Sequence, residues 1–151
     1  MKIVVDLNIV FSSILNVRSH IGQILINGSK YFQFYSIGLL SSEIIKHKDK
    51  LQKISGYDDL KFFEIYYLII SKIKFFDDIF LTDEEINTAY NLVKDVDEDD
   101  TLFVALNNHL SATLWTGDKQ LIKGLRKKNY TQIITTDELY QIYLDKELNL
   151  D

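Results

Sequence analysis

The chain has 151 residues, of which 46% are hydrophobic and 13% aromatic, so it is long and apolar enough for one globular domain with a buried core. It contains no cysteine, which excludes disulfides and thiolate-bound metal centres. Its formal net charge of −5 would repel nucleic acid unless a local basic patch or a bound metal ion reverses the sign.

The pattern of apolar and polar residues predicts alternating strands and helices. Residues 2–5 (KIVV) form a continuous apolar run after the first lysine, which is typical of a strand buried in a parallel sheet. In chain order, the predicted elements are a strand at 2–5, a helix at 12–26 stopped by Asn27-Gly28, a strand at 31–37, a helix capped by Ser41 or Ser42 and ended by Ser55-Gly56, a helix at 58–73, a strand at 74–76, a helix at 83–94, a helix at 100–110, a strand at 112–116, a helix at 118–128, a strand at 131–134 and a terminal helix.

This alternation predicts the fold class. Strands that are separated by helices form parallel sheets with helices packed on both faces. We therefore expect a three-layer α/β fold with a parallel sheet of about four to five strands, formed by residues 1–151 as a single domain.

Two features bear on location. The apolar runs are all shorter than the roughly 20 residues that a membrane-spanning helix needs. The first residues, MKIVVD, reach an acid at position 6, which a secretory signal would not do. We therefore expect a cytoplasmic protein with no membrane partner.

Four acidic residues from distant segments are expected at one edge of this sheet. They follow strand ends or lie near helix starts, and they are Asp6, Glu43, Asp100 and Asp118. In open parallel sheets, ligands bind beyond the carboxyl ends of the strands. Carboxylates at close range repel one another unless protons or cations intervene. With oxygen ligands only, the expected cofactor is Mg²⁺ or Mn²⁺.

Four segments carry a family resemblance. The stretches "VVDLNIVFSSIL", "SSEIIKH", "DVDEDDTLFVALNNHL" and "LWTGDKQL" resemble, in order and spacing, the PIN domain family of metal-dependent nucleases. The resemblance covers residues 1–130, and within the family the chain is more similar to stand-alone bacterial members than to the related VapC-type toxins. One departure is Leu7, where a threonine is common, but this position is not a ligand position in the family.

The resemblance implies roles for individual residues. Asp6, Glu43, Asp100 and Asp118 would be catalytic and metal-binding, and Asn8 and Thr116 would be supporting polar groups. Asp97, Glu98 and Asp99 also suit the first turn of a helix, where the helix dipole favours acids. Asp100 is preferred because the sequence TLFVA follows it directly, as in the family pattern, and Asp97 is kept as a supporting residue.

The resemblance also implies a reaction and partners. The expected reaction is hydrolysis of RNA phosphodiester bonds that leaves a 5′-phosphate and a 3′-hydroxyl, with metal-bound water as the nucleophile. Basic residues after Asp118, namely Lys119, Lys123 and Arg126, are candidates for contacts with RNA phosphates. A toxin-like role, an antitoxin protein and a homodimer are the partner predictions that follow from the bacterial relatives.

Other functions were weighed against the same residues. An EF-hand fails because Asp100 and Leu106 stand where that loop needs glycine and glutamate. A dinucleotide-binding domain fails because no glycine-rich turn follows the first strand. Two alternatives stay open, which are a Mg²⁺-dependent phospho-acceptor or phosphatase-type α/β domain and a catalytically silent PIN-like module that binds RNA or protein.

Overall fold

The computed structural model describes residues 1–149, in which five strands form one sheet. The strands are β1 (Lys2–Val5), β2 (Gln33–Ile37), β3 (Ile73–Phe76), β4 (Thr113–Trp115) and β5 (Ile133–Ile134). Their order across the sheet is β3-β2-β1-β4-β5, and every neighbouring pair is parallel. All five carboxyl ends therefore lie at the same edge of the sheet.

Helices make the connections between the strands. They are α1 (Leu7–Leu15) and α2 (His20–Asn27) between β1 and β2; α3 (Leu39–Lys46), α4 (Lys48–Ser55) and α5 (Asp59–Ile70) between β2 and β3; α6 (Asp83–Val93) and α7 (Thr101–Leu110) between β3 and β4; α8 (Lys119–Lys127) between β4 and β5; and α9 (Thr136–Leu148) after β5. Short 3-10 turns occur at Gly28–Lys30, Asp78–Phe80 and Glu98–Asp100.

Two hydrophobic cores lie on opposite faces of the sheet. Ile3 and Val5 of β1 point into the first core, which also contains buried residues of α1 to α5 and α9. Val4 points into the second core, which is built with α6, α7 and α8. This alternation along a strand is the period of two that an extended chain imposes. The structure confirms the predicted three-layer α/β fold with a parallel sheet.

The helix predicted at residues 12–26 is in fact two helices, α1 and α2. The first begins directly after Asp6, whose side chain accepts a hydrogen bond from the backbone N–H of Ile9 (N···O 3.0 Å). The second begins after Ser19, whose hydroxyl accepts from the N–H of Gly22. A Cβ at Gly22 would lie 2.3 Å from the carbonyl oxygen of Val17, so only glycine fits this turn.

The helix predicted between Ser41 and Ser55 is likewise two helices, α3 and α4, which meet at His47. The chain starts α3 at Leu39, and the prediction that Ser41 or Ser42 caps it is wrong, because both hydroxyls donate backward, to the carbonyls of Gly38 and Leu39. The predicted stop at Gly56 is confirmed. Gly56 has a φ of 78°, the left-handed conformation that favours glycine at the end of a helix.

Within residues 1–149, no single helix is long and apolar enough to cross a membrane. The pair formed by Leu7–Leu15 and His20–Lys30 reaches the required length and composition together, but it is bent by 101°. The large apolar side chains of this pair, such as Ile14 and Ile24, are fully buried in the first core.

Candidate functional site

The candidate site lies where neighbouring strands send the chain to opposite faces of the sheet. β1 and β4 are adjacent, with Val5 opposite Trp115 at their carboxyl ends. From β1 the chain enters α1 on the first-core face, and from β4 it enters α8 on the second-core face. The two chains diverge beyond the sheet edge and leave a crevice, which is the usual position of ligands in open parallel sheets.

Asp6 is the most deeply placed acid in this crevice, with a side chain only 4% exposed. Burial raises the pKa of its carboxyl group above the ordinary value, because desolvation disfavours the charged form. Hydrogen bonds from the Thr116 hydroxyl and from the backbone N–H groups of Ile9 and Asn8 oppose this effect, and the negative charge of Asp118 adds to it.

Thr116 links the ends of the two strands. It is fully buried, and its hydroxyl oxygen accepts a hydrogen bond from the backbone N–H of Asp118 (N···O 3.1 Å). The same hydroxyl lies close enough to Asp6 to lower the pKa of that carboxyl group. Thr116 therefore lies beside two acids that follow different strands.

Asp100 faces Asp6 and Asp118 from the start of α7. Burial is the largest cause that raises the pKa of its carboxyl group, to about 7, and the negative charges of Asp6, Asp97, Asp118 and Asp99 raise it further. A carboxyl group in this condition is only partly ionised at neutral pH. Asp100 is thus surrounded by more negative charge than nearby positive groups of the protein neutralise.

Three carboxylates come close enough to share a cation. One oxygen from each of Asp97, Asp100 and Asp118 lies within 4.8 Å of the other two. Asp118 is held in place as the N-cap of α8, since its Oδ1 accepts from the N–H groups of Gln120 (2.9 Å) and Leu121 (3.2 Å). The atoms that the three carboxylates offer as metal ligands are all oxygens, which suits Mg²⁺ or Mn²⁺. The residues present therefore fit a hard divalent cation.

Asp97 joins this group because of a local turn. Residues 98–100 form a 3-10 turn, which places residues three apart on the same side, and Asp97 and Asp100 have that spacing. The Oδ1 atom of Asp97 accepts from the N–H of Asp99 (3.0 Å) and caps the turn. From the sequence Asp97 was only a supporting candidate, and the structure places it with the two stronger ones.

The surrounding cleft has a volume of about 260 Å³. Asn8, which the sequence suggested as a supporting group, lines it from the first turn of α1, together with Asp99 and Phe103. Sequence reasoning missed the last two residues as members of the site. The signal that could have found them is position, since both lie within three residues of Asp100.

Glu43 stands apart from the three close carboxylates. It lies on α3, where its Oε1 accepts from the ammonium group of Lys46 at 3.0 Å. It lines a neighbouring cleft, which shares Asp99 with the acidic cleft. The structure therefore brings Glu43 beside the site but not into the group formed by Asp97, Asp100 and Asp118.

The basic residues of α8 differ in their surroundings. Lys119 is exposed and lines a small cleft with Thr116 and Gly117, next to the acidic site. Lys123 is exposed one turn further along the helix. Arg126 pairs with Glu138 of α9, where its guanidinium nitrogen lies 2.8 Å from the carboxylate and lowers the pKa of that acid. Of these three residues, Lys119 lies next to the site, and Arg126 is the one held in an ion pair with α9.

Comparison with known proteins assigns the family. No curated protein matches the chain. The family model described as PIN domain matches residues 4–141, a range that includes β2 to β5, the end of β1 and every acidic residue of the site. PIN domains have a metal-dependent nuclease fold, and the acidic group at the crevice fits the divalent metals that such nucleases use. The chain therefore belongs to the PIN domain family.

Proposed function

We propose that this protein is a ribonuclease that hydrolyses phosphodiester bonds of RNA with Mg²⁺ or Mn²⁺. The observation that supports this most is the convergence of the Asp97, Asp100 and Asp118 carboxylates beside the buried Asp6, at the crevice between β1 and β4. PIN domains are generally nucleases, which supports a hydrolase. The choice of RNA over DNA rests on the family resemblance alone.

Each acidic residue of this site would have its own role in binding the metal ion. Asp97, Asp100 and Asp118 would hold the cation, with the buried Asp6 beside them and Thr116 accepting from the backbone of Asp118. When bound, the cation lowers the pKa of a coordinated water and neutralises charge on the phosphate. Glu43 would act at the edge of the site, since it lies in the adjoining cleft.

Basic side chains would serve the substrate. Lys119 and Lys123 of α8 present positive charge beside the acids, where they would attract the RNA backbone against the net charge of −5. Arg126 would contribute less, because Glu138 already compensates its charge.

Several finer proposals rest on the resemblance to bacterial members of the family. They are a toxin-like role, restraint by an antitoxin protein, a homodimer and a cytoplasmic location. The PIN domain assignment favours a nuclease over the phospho-acceptor alternative. The silent binding module differs from the proposal only in activity, so an activity measurement decides between them.

A cleavage assay tests the proposal. The protein is incubated with several labelled single-stranded RNAs and Mn²⁺ or Mg²⁺, with and without a chelator. We expect cleavage that chelator abolishes and that Asp100→Asn removes, while the matched Glu98→Gln variant in the same turn retains it. Binding of RNA without cleavage, across all RNAs and both metals, would instead support the silent module. Stable phosphorylation of Asp6 by acetyl phosphate would support the phospho-acceptor.

A further inference from the structure

A second cleft adjoins the acidic one and is larger. Its volume is about 450 Å³, which lies within the roughly 300–1,000 Å³ typical of small-molecule sites. The two clefts share Leu7, Asp99 and Phe103 along their common wall. A substrate whose phosphate lies at the acidic cleft would therefore extend a neighbouring group into the second cleft without leaving the surface.

The second cleft has mainly apolar walls. Apolar side chains from β2, α3, α7 and the start of α1 line it, and they are Leu7, Ile37, Leu39, Leu40, Leu102 and Phe103. Leu39 stands at its rim with 56% of its surface exposed. Such walls suit a flat apolar face. They do not suit a phosphate, which the two acids of the cleft, Glu43 and Asp99, would also repel.

The polar groups in this cleft are two carboxylates, Glu43 and Asp99. A carboxylate only accepts hydrogen bonds, and it has about four acceptor positions, so the pairing of Glu43 with Lys46 leaves others open. Adenine, cytosine and guanine each present an exocyclic amino group, which donates. Uracil has no amino group: it has a carbonyl oxygen where cytosine has its amino group, and its one donor on that edge, the ring N3–H, lies between two carbonyl oxygens that a carboxylate repels.

We propose that this cleft receives one unpaired nucleobase next to the cleaved phosphate and selects bases that carry an exocyclic amino group. The inference rests on the proposed nuclease function and deepens it. The base would lie between the apolar walls with its edge towards Asp99 and Glu43. Asp99, shared by both clefts, would then set sequence preference rather than only add charge to the acidic site.

The 151-residue protein with Mn²⁺ and an RNA pool of random sequence provides the test. Sequencing of the products should show that one position beside the cleaved bond carries adenine, cytosine or guanine about tenfold more often than uracil. Asp99→Asn should reduce this preference, because an amide can also donate to a carbonyl oxygen. Leu39→Ala should raise KM, and the matched control Leu60→Ala, an exposed leucine of α5 that lines neither cleft, should not.

A binding measurement separates this inference from the nuclease proposal. Labelled oligo(C) and oligo(U) are titrated onto the Asp100→Asn variant, and we expect oligo(C) to bind about tenfold more tightly. Tighter binding of oligo(C) without cleavage of any RNA by the native protein would overturn the nuclease proposal and still support a selective cleft. Cleavage with equal use of all four bases, or a preference that Asp99→Asn leaves unchanged, would overturn the inference alone. Equal binding without cleavage would overturn both.

Discussion

Removing the charge of Asp100 should stabilise the metal-free protein at alkaline pH. The pKa of this carboxyl group is about 7 in the folded state, against an ordinary value of 3.8 for an exposed aspartate. A difference of about three units corresponds to at most about 4 kcal/mol of folding free energy. Because the side chain is partly exposed, solvent screening reduces this to about 2 kcal/mol. For a chain of this length, we expect Asp100→Asn to raise Tm by about 4–8 °C.

The pH dependence gives this prediction its direction. Since the pKa of Asp100 is higher in the folded than in the unfolded state, its contribution to stability is fully present below about pH 4 and is lost as the pH rises through about 7. Asparagine cannot ionise, so the variant escapes that loss. The gain of Asp100→Asn over the native protein should therefore be larger at pH 8 than at pH 5.

Thermal unfolding followed by circular dichroism in EDTA, at pH 5 and pH 8, measures the effect. Glu98→Gln is the matched control, because Glu98 is an exposed acid of the same 3-10 turn. Adding Mn²⁺ should raise the Tm of the native protein more than that of Asp100→Asn, since a ligand stabilises the state that binds it. An Asp100→Asn variant no more stable than the native protein at pH 8 in EDTA would refute the electrostatic reasoning.

Three other substitutions test separate parts of the structure. Thr116→Val should weaken Mn²⁺ binding about tenfold in calorimetry, because the hydroxyl that accepts from the N–H of Asp118 is lost, and unchanged affinity would contradict this role. Lys123→Ala should flatten the salt dependence of RNA binding more than Arg126→Ala, because Arg126 is already paired with Glu138. Equal effects of the two substitutions would contradict a phosphate contact by Lys123. Gly22→Ala should cost about 1–3 kcal/mol in denaturant unfolding, and a neutral result would mean that the turn relaxes freely.

The parts of the fold that could be predicted from sequence are those set by apolar runs. The strands at β1 and β4 are short hydrophobic segments followed by acids, and parallel pairing then brings Asp6 and Asp118 to one edge. The helical breaks at 16–19 and at His47 could not be predicted in the same way. Apolar residues keep helical spacing across both breaks, so the period alone does not mark where one helix ends.

The strand-derived acids Asp6 and Asp118 follow from the predicted sheet, whereas the choice of Asp100 among the acids of the turn rested on the family resemblance. Four acids in a row all suit a helix start, and the sequence does not say which of them a 3-10 turn will direct inward. The position of Glu43 relative to the three close carboxylates depends on how α3 packs against the rest of the first core. That packing involves residues from many parts of the chain, so the local sequence does not reveal it. The ion pair between Arg126 and Glu138 joins two helices, so the local sequence pattern does not predict it either.

Asp6 and Asp118 each cap a helix, α1 on one face of the sheet and α8 on the other. Asparagine caps a helix about as well as aspartate, whereas alanine costs about 1 kcal/mol at such a position. A change to asparagine would thus remove ligand charge while both helices keep their first hydrogen bonds. A single codon change could therefore produce an inactive protein that keeps its fold. Natural variants of this lineage that have lost activity should carry asparagine at these two positions more often than alanine.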